Sequence, residues 1–127
     1  MKNLFLFILL SITTTVTAQT KTIIWENKVI EQGIDQIVKG TDTTFLYRYH
    51  NPMDNQADFF RGILFKNKEE LVQFLDHCQE VFDNGKVLSS GEYSITKTKE
   101  YLTVNVDKGS GWFHMYVESI IKIKEVI

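Results

Sequence analysis

Three histidines, one cysteine and a scatter of carboxylates are the side chains with the means for acid–base, nucleophilic or metal chemistry. His50, His77 and His114 stand far apart, with no i, i+2 or i, i+4 partner. A metal site would need folding to join them with a carboxylate such as Asp54 or Asp58, since three or four ligands must converge. Their spacing does not ask for that, and the expectation is no metal and no cofactor. His77-Cys78 is a catalytic pair only on paper, because adjacent residues of a helix point about 100° apart. Cys78 instead continues an apolar stripe, where a desolvated thiol has a raised pKa and is inert.

The remaining motifs are absences. There is no G-x-x-x-x-G-K-[ST], no G-x-G-x-x-G and no H-E-x-x-H. Gly109-Ser110-Gly111 lacks the G-x-S-x-G spacing of a nucleophile elbow. Asp54-Asn55-Gln56-Ala57-Asp58 brings oxygen ligands close together but lacks the register and distal Glu of a calcium loop. A small hydrolase or lyase would have to draw its acid and base from His50, His114, Asp54, Asp58, Asp107 or Glu118.

The pattern with most functional content is a difference between strand faces. In Tyr101 to Asp107, Leu102, Val104 and Val106 alternate with Tyr101, Thr103 and Asn105. In Trp112 to Val117, Phe113, Met115 and Val117 alternate with Trp112, His114 and Tyr116, and Tyr93 and Ile95 likewise oppose Ser94 and Thr96. If the apolar sets face a core, Tyr101, Thr103, Asn105, Trp112, His114 and Tyr116 collect on one outer face. Aromatic side chains with a polar tip suit recognition of a protein or a glycan. The competing expectation is that Thr20 to Thr43 packs over this face, or that such residues serve only as cross-strand pairs.

Those residues must be carried by regular elements. Asn67 to Phe82 predicts an amphipathic helix: Asn67 as cap, Glu70 returning a bond to the cap's amide, and Leu71, Phe74, Leu75, Cys78 and Phe82 as one stripe. Asn84-Gly85 supplies the stop. Thr44 to His50, Phe59 to Phe65, Tyr93 to Thr98, Tyr101 to Asp107, Trp112 to Val117 and Ile120 to Val126 read as strands, with turn chemistry at Asn51 to Asn55 and Lys108 to Gly111. Ile23 to Trp25 reads as a strand, and Ile34 to Val38, between Gly33 and Gly40, as a further one. The expected fold is α+β: an antiparallel sheet of about six or seven strands with one amphipathic helix packed on one face.

The first eighteen residues predict an address. Lys2, the apolar run Leu4 to Leu10 and the small-residue site Val16-Thr17-Ala18 form a signal peptide cleaved before Gln19. The run is too short to span a bilayer, which takes about 20 residues, and no cysteine follows the cleavage region, so no stable membrane anchor is expected. Residues 19–127 then make one α+β domain, exported to a periplasm or beyond the cell. The whole chain carries a net charge of −2, or −3 once Lys2 is removed, with the charges interspersed. That excludes the basic footprint of a nucleic-acid binder. Cys78 is the only cysteine, so no intramolecular disulfide forms.

The layout resembles that of small bacterial secreted proteins, with no motif that names a family. A non-catalytic binding module using the aromatic face is the leading expectation, ahead of a hydrolase or lyase and of an inhibitor or immunity-type protein.

Overall fold

Two runs of alternating apolar residues, one on each side of the helix, each close into a four-stranded antiparallel meander. The computed structural model describes residues 18–52, 54, 60–106 and 111–127. Residues 1–17 of the expected leader lie outside them, as do Asn55 to Asp58 and Asp107 to Ser110.

The first meander contains β1 (Gln19–Asn27), β2 (Gln32–Lys39), β3 (Asp42–Tyr49) and β4 (Arg61–Phe65) in that spatial order. Its inner face carries Trp25, Ile34, Phe45, Tyr47, Tyr49, Ile63 and Phe65. A register shift between Ile23 and Trp25 turns Trp25 inward onto Tyr47, at 6.1 Å between rings. Without that extra residue Trp25 would share the outer side with Ile23, which is 56% exposed.

Helix α1 (Lys68–Asn84) follows. Asn67 Oδ1 accepts from the Glu70 N–H at 2.9 Å, as its type and position predict. Glu70 reaches one residue further back than expected, to the Lys66 N–H at 2.9 Å. Gly85 ends the helix with φ 71°, a left-handed geometry that glycine adopts without a Cβ clash. Leu71, Phe74, Leu75, Cys78 and Val81 form the buried stripe, and Phe82 lies at its margin beneath Lys97, whose Nζ is 4.5 Å from the ring centre.

The second meander contains β5 (Leu88–Ser89), β6 (Tyr93–Thr98), β7 (Tyr101–Val106) and β8 (Gly111–Met115). Helix α2 (Val117–Val126) closes the chain. Tyr93, Ile95, Leu102, Val104, Phe113 and Met115 face the inner side of the first sheet and α1, and one cluster of buried residues joins both sheets and both helices. Its aromatic centre is Tyr47 stacked on Phe113 at 5.2 Å, with Phe74 of α1 set edge-on at 5.8 Å.

Two expectations are corrected. The sheet is not single: the strands before and after α1 form separate four-stranded sheets, because each meander has its own apolar face and the two bury those faces against each other and the helix. Ile120 to Val126 is helix and not strand, so the described residues hold two helices and eight strands where one helix and six or seven strands are expected. Its sequence satisfies both periods, since Ile121 and Ile123 alternate with lysines while Ile120 and Ile123 are three apart. Packing against α1 selects the helix, with Ser119, Ile120 and Ile123 buried and Lys124 Nζ 2.7 Å from Asp76 Oδ1.

Candidate functional site

Directly opposed residues in an antiparallel pair lie on the same face, so strand register lays out the outer surface of the second sheet. Ser89, Ser94, Asn105 and Trp112 form one row across it, Thr96, Thr103 and His114 the next, and Thr98 with Tyr101 the third. Tyr116 stands just beyond the end of β8. All six residues singled out in the sequence are therefore on one face, opposite the core. Residues 20–43 do not lie over it; they build β1 and β2, whose inner side meets the inner side of this sheet.

Four rings run together there. Trp112 and His114 are 5.1 Å apart between ring centres, His114 and Tyr101 are 4.4 Å apart, and Tyr101 and Tyr116 are 6.2 Å apart. Thr103 Oγ1 is 3.3 Å from His114 Nδ1, and Thr96 Oγ1 donates to the Thr103 carbonyl at 3.5 Å. Tyr101, Thr103, Asn105, Trp112 and His114 are half-buried, and Tyr116 is exposed. None of these ten described positions on this face is Asp, Glu, Lys or Arg. The outer face of the first sheet is the opposite case. There Asp35 is fully buried beneath Arg48 and Lys21, at 2.7 and 3.3 Å, and Arg48 also reaches Glu26 at 3.5 Å.

The face is fixed from behind by a residue that sequence reasoning missed. Gln32 is 4% exposed, and its Nε2 donates to the His114 carbonyl at 2.7 Å while its Oε1 accepts from the Tyr47 hydroxyl at 2.6 Å. The edge carbonyl of β8 is thereby satisfied by a side chain of the other sheet, as a buried backbone group must be. Gly111 permits the same approach, since a Cβ there would sit 2.6 Å from Tyr49 Oη. No sequence signal marks Gln32, because a polar residue at the start of a strand resembles a solvated end.

Of the other candidate groups, His50 and Asp54 lie near each other, where Arg61 and, to a lesser extent, His50 lower the Asp54 pKa, and the rest are dispersed. Cys78 is fully buried on the α1 stripe, and burial pushes its thiol well above the ordinary range. His77 Nδ1 lies 2.8 Å from the Tyr93 hydroxyl. His50 pairs with Glu31 at 3.3 Å on the first sheet. Asp54 is gripped by Arg61 at 2.9 and 3.0 Å, and that hydrogen bonding holds its carboxyl below the usual range. His114 is on the second sheet and Glu118 on α2, while Asp58 and Asp107 fall outside the described residues. Among the described residues, no three His, Cys, Asp or Glu side chains are grouped to hold a metal ion, and no helix is long and apolar enough to cross a membrane.

At the far end of the aromatic strip, Tyr116 also lines a cavity of about 200 Å³ with Asn27, Ile30, Glu118, Ser119 and Lys122. The strand reading of Ile120 to Val126 hides Lys122, and Ser119, between two expected strands, carries no signal of its own. No protein-family model, curated protein or solved structure matches the chain.

Proposed function

We propose that this protein is an exported, non-catalytic binding module whose partner, a protein or a glycan outside the cytoplasm, docks on the outer face of the second sheet. The observation that carries the reading is the continuous strip Trp112–His114–Tyr101–Tyr116, set on a rigid sheet and bordered by hydroxyl and amide side chains. Solvent-facing rings with polar tips, half-buried here except for the exposed Tyr116, combine large contact area with few rotatable bonds, which is why they concentrate binding energy. The leader-like residues Lys2 to Ala18 support the location, and β1 begins at Gln19, directly after the expected cleavage point.

The test has two parts. In a Trp25→Phe variant, acrylamide should quench the fluorescence of Trp112 strongly; a shielded indole would sink the open-face reading. Immobilised wild-type protein and a Trp112→Ala/Tyr116→Ala variant are then exposed to envelope extract and culture medium. The variant should lose the captured partner with its unfolding midpoint nearly unchanged, because both side chains lie off the core. Unfolding of the variant, or undiminished capture, would assign these residues to structure alone.

A further inference from the structure

We infer that the ligand of this face is a neutral glycan, lying along Trp112, His114 and Tyr101 with one sugar ring seated in the cavity between Tyr116 and Ser119. The inference rests on the face being a binding surface and adds the chemistry of what binds.

The first argument is charge. Charged residues make up 24% of the chain, yet the ten described positions of this face carry none. An anionic or cationic polymer would bring charges that find no counterpart there and would lose hydration for nothing. A sugar ring matches the surface on both counts. Its C–H face packs on aromatic rings, and its hydroxyls exchange hydrogen bonds with Ser94, Thr96, Thr103 and Asn105.

The second argument is the cavity. Ser119 is 4% exposed and lines it, and its hydroxyl has no hydrogen-bond partner among the described residues. Helix α2 begins here with no side-chain cap; the Ser119 and Ile120 N–H groups bond the Tyr116 carbonyl at 3.0 and 3.3 Å, and the Glu118 N–H has no partner within the helix. Asn27 Oδ1 already accepts from the Val29 and Ile30 N–H groups at 3.0 and 3.3 Å, which leaves its amide N–H groups as donors. The lining thus mixes donors (Lys122, Asn27, the Glu118 N–H), an acceptor (the Glu118 carboxylate) and a hydroxyl that does both. Glu118 opposes an anion and Lys122 opposes a cation, whereas vicinal sugar hydroxyls donate and accept at once. At about 200 Å³ the cavity is below the roughly 300 Å³ of a drug-sized site and suits a single ring. Tyr116 belongs to both the strip and the cavity, which makes the two one continuous surface.

The experiment is a titration of the ¹⁵N-labelled protein with cellohexaose, maltohexaose and mannohexaose, and with hexagalacturonate as the anionic control, followed by NMR. At least one neutral hexaose should shift the Trp112 indole N–H together with the backbone amides of Tyr116 to Ser119. Trp112→Ala should then weaken binding about tenfold or more, and Ser119→Ala about three- to tenfold, the loss of one hydrogen bond. The proposal is overturned if no neutral hexaose moves these signals, if hexagalacturonate alone does, or if the shifts map elsewhere. Should the sugars fail while a folded Trp112→Ala variant still loses a captured protein, the face remains a binding surface and its ligand is a protein. If capture is also indifferent to Trp112, the face itself is not the site.

Discussion

Tyr93 shows how a single buried hydroxyl ties stability to pH. Its ring packs edge-on against Phe74 at 5.0 Å, and its hydroxyl meets His77. Burial pushes its pKa up to about 12, with Cys78 acting in the same direction. The neutral phenol is therefore favoured in the folded chain over the unfolded one, where the value is near 10. This contribution is present in full below about pH 10 and disappears as the pH climbs through about 12. Tyr47, fully buried, is shifted upward in the same way. Urea unfolding between pH 9 and 12 should show stability falling across that window, and Tyr93→Phe should make the decline shallower. An equally steep decline in the variant would show that Tyr93 is not among the groups responsible.

The two helices differ in how their identity is written. Helix α1 is overdetermined: cap, capping carboxylate, stripe and glycine stop all agree, and the sequence reading misplaces its C-terminal end by only two residues. Helix α2 is decided by tertiary contact. Ile123→Ala, at a fully buried position facing α1, should cost about 2–5 kcal/mol in urea unfolding. Ile121→Ala, on the exposed side, should cost less than about 0.5 kcal/mol. Comparable losses at both positions would favour a strand, in which the two side chains share one face. The same contrast explains what was legible beforehand. Strand faces were readable wherever polar and apolar residues alternate, so the positions of Trp112, His114, Tyr101, Thr103, Asn105 and Tyr116 on one face followed from the pleat. The division into two sheets was not readable, because it depends on how two apolar faces meet across α1. Nor was the cavity, which joins Asn27 to Ser119 and Lys122 from opposite ends of the chain.

At the scale of the whole molecule, the two sheets are held in register by a polar link inside an otherwise apolar core. Gln32 bonds both Tyr47 and the His114 carbonyl, so Gln32→Leu leaves a buried hydroxyl and a half-buried carbonyl without partners. A loss of about 2–4 kcal/mol is expected, together with weaker hydrogen-exchange protection in β8. An unchanged midpoint would mean that water replaces the amide at no cost. That link also carries a consequence for the order of events in folding. Each meander is stitched by neighbours in sequence and can form quickly on its own, whereas the Gln32–His114 contact closes a separation of 82 residues. The ring of His114 is aimed outward by an edge strand that pairs with β7 on one side, and the distant contact braces its other edge. A chain caught before this step would hold most of its secondary structure and still present a loose, poorly selective face. Ligand binding, followed during refolding, should therefore return after the helical signal and in step with the slowest phase.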